Sequence, residues 1–354
     1  MRKMSLWKVK CENENSGREL KRVVVVGGGI AGSHLAQSLQ DYANVVLEYF
    51  EIPWACLRGM VEPTFAERIV VNHSEYLTNV QIVSSPVTNV TDTEVIIADG
   101  HSLAYHYLVI ATGHDESVPR ERDERLCYYR KEYQKIKSAN SILIMGGDQT
   151  GVELAAEIVT AFLEKKVTLF IGTKASQMAL DWLVSNKVEV LLDQSVDLSN
   201  TSNGAIQTSK GESIQACSRV VLKRHLINHM ICKGRSLRYT WKVVVDENLR
   251  VRGHKNVFGI GDLTNIKELK QGFLAQPHAQ VAIKNLKLLL MGGNQSRLDK
   301  YKPISDVAIV SLGKKAGVAQ FPHITLGGYI PGKLKSRDLF VGSTRRKLGL
   351  KPRL

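Results

Sequence analysis

Three glycines, Gly27, Gly29 and Gly32, stand at the spacing Gly-x-Gly-x-x-Gly directly after a run of four valines, Val23, Val24, Val25 and Val26. Gly28, Ile30 and Ala31 fill the positions between them. The chemistry open to such a turn is the holding of a diphosphate. The first glycine permits a tight strand-to-helix reversal, the second lets the backbone approach the ligand, and the third lets the helix pack on the strand. The helix that follows presents unpaired N–H groups and the positive end of its dipole to the phosphates. The pattern returns at a constant offset of 119 residues, residues 23–39 (VVVVGGGIAGSHLAQSL) realigning with residues 142–158 (ILIMGGDQTGVELAAEI). A repeat of strand, glycine turn and helix raises a lone motif to two dinucleotide-binding folds in one chain.

The copies differ where the chemistry lies. Gly146, Gly147 and Gly151 keep most of the second turn, but Asp148 stands at its middle glycine position. A carboxylate ~5 Å from a phosphate, at an effective dielectric of ~20, is repelled by about 3 kcal/mol, roughly a hundredfold in affinity. An acid some 20 residues beyond the first glycine accepts hydrogen bonds from the adenosine ribose. Count favours Glu48, 21 residues after Gly27, with Glu51 in reserve. The corresponding strand of the second copy, residues 167–171, is followed by Gly172, Thr173 and Lys174 and no acid; Lys174 suits a 2′-phosphate.

The elements that must position these groups follow from period and punctuation. The valine run is apolar on both faces, as a central parallel strand must be, and Ala31, Leu35, Ala36 and Leu39 give the next segment a helical stripe. Residues 80–83, 87–90 and 94–97 read as a β-meander that leads to a buried strand, residues 107–111, ending in Thr112 and Gly113. Residues 256–260 form a second short buried strand closing on Gly261 and Asp262. Asp262 suits a polyol chain, and a helix opening near Gln271 and Gly272 aims its positive end at an anionic ring; a plain turn is the other reading of Gly261-Asp262.

A chain of 354 residues holds two or three domains, and its 44% hydrophobic and 23% charged residues are those of a globular protein. No apolar run approaches the ~18 residues of a membrane span. The basic start, MRKMSLWKVK, has neither the apolar stretch of a secretory leader nor the Met-Gly of myristoylation. Five scattered cysteines without a CxxC predict no zinc site or redox disulfide, and a reducing compartment, the cytoplasm first, with an organelle left open. His225 and His229 lack a third ligand nearby, so no metal is expected. The formal charge of +14 attracts polyanions, and much of it lies in residues 333–354, where Lys333, Lys335, Arg337, Arg345, Arg346, Lys347, Lys351 and Arg353 face one acid, Asp338. A solvated surface tail is the plain reading; a foothold on an acidic membrane surface is the functional one. Without an aromatic platform, nucleic acid is the weaker partner.

Residues 23–32, residues 109–113, the turn with Gly151-Val152-Glu153, and Gly259-Ile260-Gly261-Asp262 occur in the order found in flavoprotein reductases with two dinucleotide-binding domains. Tyr49-Phe50-Glu51, Trp54-Ala55-Cys56-Leu57-Arg58, Phe273-Leu274-Ala275-Gln276 and Leu339-Phe340-Val341-Gly342 look like the plant branch of apoptosis-inducing-factor homologues, close to ferroptosis-suppressor-type NAD(P)H:quinone reductases. The resemblance implies an α/β fold with two Rossmann-like domains and a small C-terminal lobe. Residues 1–20 would be an extension, 21–117 with 246–300 the FAD domain, 118–245 an inserted NAD(P)H domain, and 301–354 the lobe with the basic tail.

It further implies FAD held by Gly27, Gly28, Gly29, Ile30, Ala31, Gly32 and Glu48, with Ala111, Thr112 and Gly113 closing on it, Gly261 and Asp262 at the ribityl chain, and Arg58 alongside. NADH or NADPH would lie on Gly146, Gly147 and Gly151, with Glu153 facing the nicotinamide. Hydride would pass to the flavin and electrons to a quinone-like acceptor, with no side-chain acid or base required. Cys56 lacks the CxxxxC partner of disulfide-bearing relatives and reads as a packing thiol. The chain departs from the pattern at Asp148, in the short run from Leu47 to Glu48, and in residues 220–242, which lack a Gly-x-x-Pro signature. A flavin-retaining but catalytically impaired scaffold or stress-signalling protein is the alternative those departures favour, and a polyanion-binding protein a third.

Overall fold

The computed structural model describes residues 21–352 apart from 47–48, 116–118, 120, 147, 172–176, 195, 203–204, 216–217, 222–225, 228–241 and 305–306. Glu48, Gly147, Lys174, His225, His229 and most of residues 220–242 therefore lie outside the described residues.

The valine run is the centre of the first sheet. Val23–Val26 is flanked in parallel by Ala43–Val46 and Tyr107–Ile110, with Gln81–Val83 and Val257–Gly259 at the two edges. Side chains alternate between faces at the period of a strand. Val23, Val25, Val109 and Phe258 pack with Leu35 and Ala36 of the Ile30–Ser38 helix and with Ala279 and Leu286 of the Gly272–Leu290 helix. Val24, Val26, Leu108 and Val257 face the opposite way, onto Val90, Val95, Val243 and Val251. Both faces being covered, every position of the strand must be apolar.

The repeat in sequence is a repeat in structure. Ser141–Met145 sits at the centre of a second parallel sheet, ordered Val188–Leu192, Lys166–Ile171, Ser141–Met145, Ser218–Val221. The Gln149–Ala161 helix follows its glycine turn as Ile30–Ser38 follows the first. Each half carries a three-stranded antiparallel meander before its return strand: Val87–Val90, Glu94–Ile97 and Ser102–Ala104 in the first, Val196–Ser202, Ala205–Thr208 and Ser213–Gln215 in the second. The expected meander was placed one strand early. Gln81–Val83 is the edge of the parallel sheet, a position its short alternation did not distinguish from a hairpin strand.

The C-terminal lobe is an antiparallel sheet, Ala308–Leu312, Ala316–Gln320 and Thr325–Gly328, followed by the Val341–Lys347 helix. The reading of residues 333–354 as a solvated surface helix or tail holds for Lys333, Arg337, Arg346, Lys347 and Lys351, which are exposed, but not for the rest of the segment. Leu339, Val341 and Leu348 are buried in the core of the first sheet's helices. Arg345 is buried and donates to the carbonyls of Arg68 and Lys351. Asp338, the tail's one acid, accepts from the amides of Phe340 and Gly342 and so fixes the turn that carries Leu339 and Phe340 through φ of +51° and +54°. Trp54 Nε1 donates to Leu339 O across it.

One ion pair ties the parts together. Arg58, on the Cys56–Val61 helix, meets Glu157 of the second repeat's helix with Nε to Oε2 at 3.0 Å and Nη2 to Oε1 at 2.7 Å, and both side chains are almost fully buried. The same guanidinium donates to the carbonyls of Gly313, Ser336 and Arg337 in the lobe. Removing one partner of a buried pair leaves an uncompensated charge and costs about 3–5 kcal/mol. Glu157→Leu and Arg58→Met are each expected to lose that much in denaturant unfolding, and the double variant far less than the sum.

Two histidines set an acid limit. Burial lowers His34 and His73 from 6.5 to about 4, and the His73 Nδ1 lies 2.6 Å from the Tyr76 hydroxyl. Between those values the unfolded chain binds protons that the folded chain does not, so stability falls as pH drops through this window. The melting temperature should decline from pH 6.5 toward 4, and His73→Gln should shallow that decline.

Candidate functional site

Three loop segments meet at the carboxyl ends of the central strands. Gly27 turns the chain with φ of +114°, and a Cβ there would lie 2.3 Å from Ala111 O and 2.7 Å from Thr112 N. At Gly32 a Cβ would lie 1.7 Å from Gly27 O, so no side chain is compatible with the helix at this distance. Gly261, with φ of +84°, brings the third segment in, its absent Cβ 3.7 Å from that of Ala275 and 3.9 Å from that of Ala31. Ala111 N donates to Val26 O and Ile260 N to Ile110 O, so the three segments are locked to one another by backbone.

Gly29 is different from its neighbours. Its backbone is extended, it is exposed, and a Cβ placed on it would meet nothing within 4 Å. It is the N-cap of the Ile30–Ser38 helix, and no side chain caps that helix. Ser33 supports the turn from behind, its hydroxyl donating to Gly28 O at 2.6 Å and its amide to Gly29 O. The first-turn amides of Ile30 and Ala31 thus border an open, uncapped cradle, which fits the diphosphate of a dinucleotide. The Thr112 amide lies against Gly27, Gly113 follows it in the chain, and Asp262 is half-buried directly after Gly261. The turn glycines, Ala111 and Gly261 are brought together as the sequence predicted.

The second copy reproduces the backbone and closes the cradle. Gly146 has φ of +128°, and a Cβ on Gly151 would lie 1.7 Å from Gly146 O, the same close approach as at Gly32. Asp148 caps its helix, with Oδ1 accepting from Thr150 N at 3.0 Å and Gly151 N at 3.2 Å. A carboxylate of the chain itself takes the donors that a phosphate would use.

Other expected residues are committed elsewhere. Arg58 is buried, its donors engaged by Glu157 and three lobe carbonyls. Glu51, the reserve ribose acid, accepts from Arg125 Nε and Nη2 and from the Tyr129 hydroxyl, all on the Arg122–Ser138 helix. Glu153 is buried against Lys335 at 2.6 Å and also accepts from Ser311 N and Gln149 Nε2. Gln149 in turn meets Gln271, the N-cap of the Gly272–Leu290 helix. Lys335, Gln149 and Gln271 thus join the two folds and the lobe beside the crevice. Sequence reasoning placed Gln271 at a helix start but missed Gln149 and Lys335, the latter counted only as tail charge. Cys56 packs between the two large apolar clusters, and among the described residues neither it nor Cys127 forms a disulfide. Among the described residues no group of acidic, histidine or cysteine side chains could hold a metal.

The chain is similar to ferroptosis suppressor protein 1 of Xenopus tropicalis, 29% identical over 94% of this chain and 97% of that protein. It is equally similar to apoptosis-inducing factor homolog B of Dictyostelium discoideum, 29% identical over 91% of this chain and 95% of that one. Among solved structures, the sulfide:quinone oxidoreductase of Aquifex aeolicus shares the fold with a TM-score of 0.69 at 18% identity, covering 92% of each chain. The family model for pyridine nucleotide-disulphide oxidoreductases matches residues 21–285. With that match over most of its length, the chain belongs to the pyridine nucleotide-disulphide oxidoreductase family, FAD-dependent enzymes that draw on NAD(P)H.

Proposed function

We propose that the first glycine turn holds FAD and that the chain passes reducing equivalents from NAD(P)H through it to a quinone-like acceptor. The observation that carries this reading is the uncapped cradle at Gly29, where the chain supplies amides and leaves space. When bound, FAD supplies the group that accepts hydride and releases electrons. The chain's part is alignment and electrostatics. Gly27, Gly28, Gly29, Ile30, Ala31 and Gly32 surround the diphosphate, Ala111, Thr112 and Gly113 close the loop, and Gly261-Asp262 offers a carboxylate to the ribityl hydroxyls. Glu48 is the ribose partner by count. The buried pair of Glu153 and Lys335, with the half-buried Gln149 and Gln271, forms a polar wall where the folds meet and limits water at the reacting face.

The quinone-like acceptor draws support from the likeness to a sulfide:quinone oxidoreductase. The short motifs around Trp54 and Leu339 carry the plant-branch affinity. The domain limits we propose are 21–117 with 246–300 for FAD, 118–245 for the nicotinamide and 301–354 for the lobe. The cytoplasm is the proposed compartment. Exposed Lys333, Arg337, Arg346 and Lys347 offer an acidic membrane surface a peripheral foothold, and no helix of the described residues is long and apolar enough to cross a membrane.

Asp148 favours a second reading, a flavin-retaining protein slow with nicotinamides, because it satisfies the amides of Thr150 and Gly151 that an incoming diphosphate needs. Gly146, Gly147, Gly151 and Glu153 would then frame a weak site.

Purified protein should show flavin absorption and bleach anaerobically on titration with NADH or NADPH; colourless protein that FAD does not reconstitute contradicts the assignment. Gly29→Ala adds a methyl group to open space, so it should leave apoprotein stability unchanged while lowering FAD affinity about tenfold or more, whereas Gly32→Ala should destabilise the apoprotein. Asp148→Gly costs the helix only a few tenths of a kcal/mol and should tighten NAD(P)H binding, up to about a hundredfold, with FAD binding unchanged. Unchanged nicotinamide affinity would acquit Asp148.

A further inference from the structure

Gly261 sits in a left-handed turn, and three hydrogen bonds hold the backbone on either side of its amide. Its carbonyl accepts from Thr264 N at 3.1 Å and Thr264 Oγ1 at 3.0 Å, and Ile260 N is fixed to Ile110 O. Its own amide donates to a side chain, His278 Nδ1, at 3.0 Å. An imidazole can accept there only when Nδ1 carries no proton, which places the ring proton on Nε2. Nε2 lies 2.8 Å from Glu268 Oε1, both side chains being almost fully buried. Glu268 Oε2 accepts from the Tyr301 hydroxyl at 2.7 Å, and the Tyr301 ring meets the imidazole edge-on, 4.3 Å between centroids. Nothing in hydride transfer calls for this buried network, which reaches the crevice through the Gly261 amide.

We propose that His278 is the positioning residue of the cofactor turn: its neutral imidazole, oriented by Glu268 and Tyr301, holds the Gly261 amide and thereby aims Asp262 at the ribityl chain of the flavin. The inference rests on the flavin reading of the crevice. It makes cofactor retention acid-sensitive through one group, because a proton on Nδ1 converts the acceptor into a donor facing the Gly261 N–H.

The charges facing the ring are Glu268 and Asp262, which favour protonation, and Lys270, which opposes it. Lys270 is held next to the turn by Ile266 O and Thr264 Oγ1. Burial is the largest effect and holds the imidazole below its ordinary 6.5. The turn is therefore intact at neutral pH and is released as pH falls below that value.

The test measures FAD dissociation, by recovery of free flavin fluorescence, across about pH 5 to 8, the range in which histidine titrates. His278→Asn keeps an oxygen acceptor near the Nδ1 position without a titrating group, and His278→Leu removes the acceptor. Wild-type release should accelerate about tenfold toward the acid end. His278→Asn should hold FAD with a flat pH profile, and His278→Leu should release it about tenfold faster throughout. A merely structural histidine would lower the apoprotein melting temperature in both variants and leave the pH slope in His278→Asn. A slope in His278→Asn as steep as in the wild type overturns the proposal, and does so even if His278→Leu fails to fold. The flavin reading is judged separately: if the wild type binds no FAD, or Asp262→Ala binds it unchanged, that reading falls and the role of His278 with it. If Asp262→Ala weakens binding while both His278 variants behave as wild type, only the role of His278 falls.

Discussion

The distance between Gly32 and the carbonyl of Gly27 governs this fold. The helix can begin at Gly29 only if it passes within contact of the strand it has just left, and 1.7 Å to a hypothetical Cβ leaves room for hydrogen alone. That close approach directs the first amides of the helix toward the crevice rather than into the sheet. Ala111 and Gly261 then pack against the same turn from the neighbouring strands, so the cradle is made almost wholly of backbone. A site of this kind is rigid because it is built from strand ends and main-chain hydrogen bonds, with few rotamers to order on binding.

The second copy shows the same constraint at work with a different outcome. Gly151 and Gly146 repeat the approach, yet a single carboxylate at Asp148 turns an open anion site into a capped helix. Stability and binding compete here for the same two amides. The parts that bring the halves together are ionic: Arg58 with Glu157, and Lys335 with Glu153, each pair buried and each reaching the C-terminal lobe. Lys335 of the lobe serves this junction, so a chain with high positive charge has directed part of it inward.

Much of this was legible in the sequence. Four consecutive β-branched residues before three spaced glycines have few structural meanings, and the repeat at 119 residues announced the second sheet. What escaped were groups whose partners lie far along the chain. Arg58 and Glu157 are separated by 99 positions, and Glu153 and Lys335 by 182, so no local pattern links them. Glu51 looked available because Arg125 and Tyr129 lie on a helix 74 and 78 residues away. The tail looked solvated because its charges outnumber its apolar residues, although Val341 and Leu348, seven positions apart on one helical face, are buried together with Leu339. Gln81–Val83 was misplaced because edge strands of parallel and antiparallel sheets share the same alternation.

The central claim is that the Gly27 turn grips the diphosphate of a flavin nucleotide. Its most direct measurement is calorimetric titration of the apoprotein with FAD and with riboflavin, which lacks the diphosphate and adenosine. The account predicts that FAD binds at least about a thousandfold more tightly, a difference of roughly 4 kcal/mol, and that ADP competes with it. Equal affinity for riboflavin, or no heat with either flavin, would contradict it.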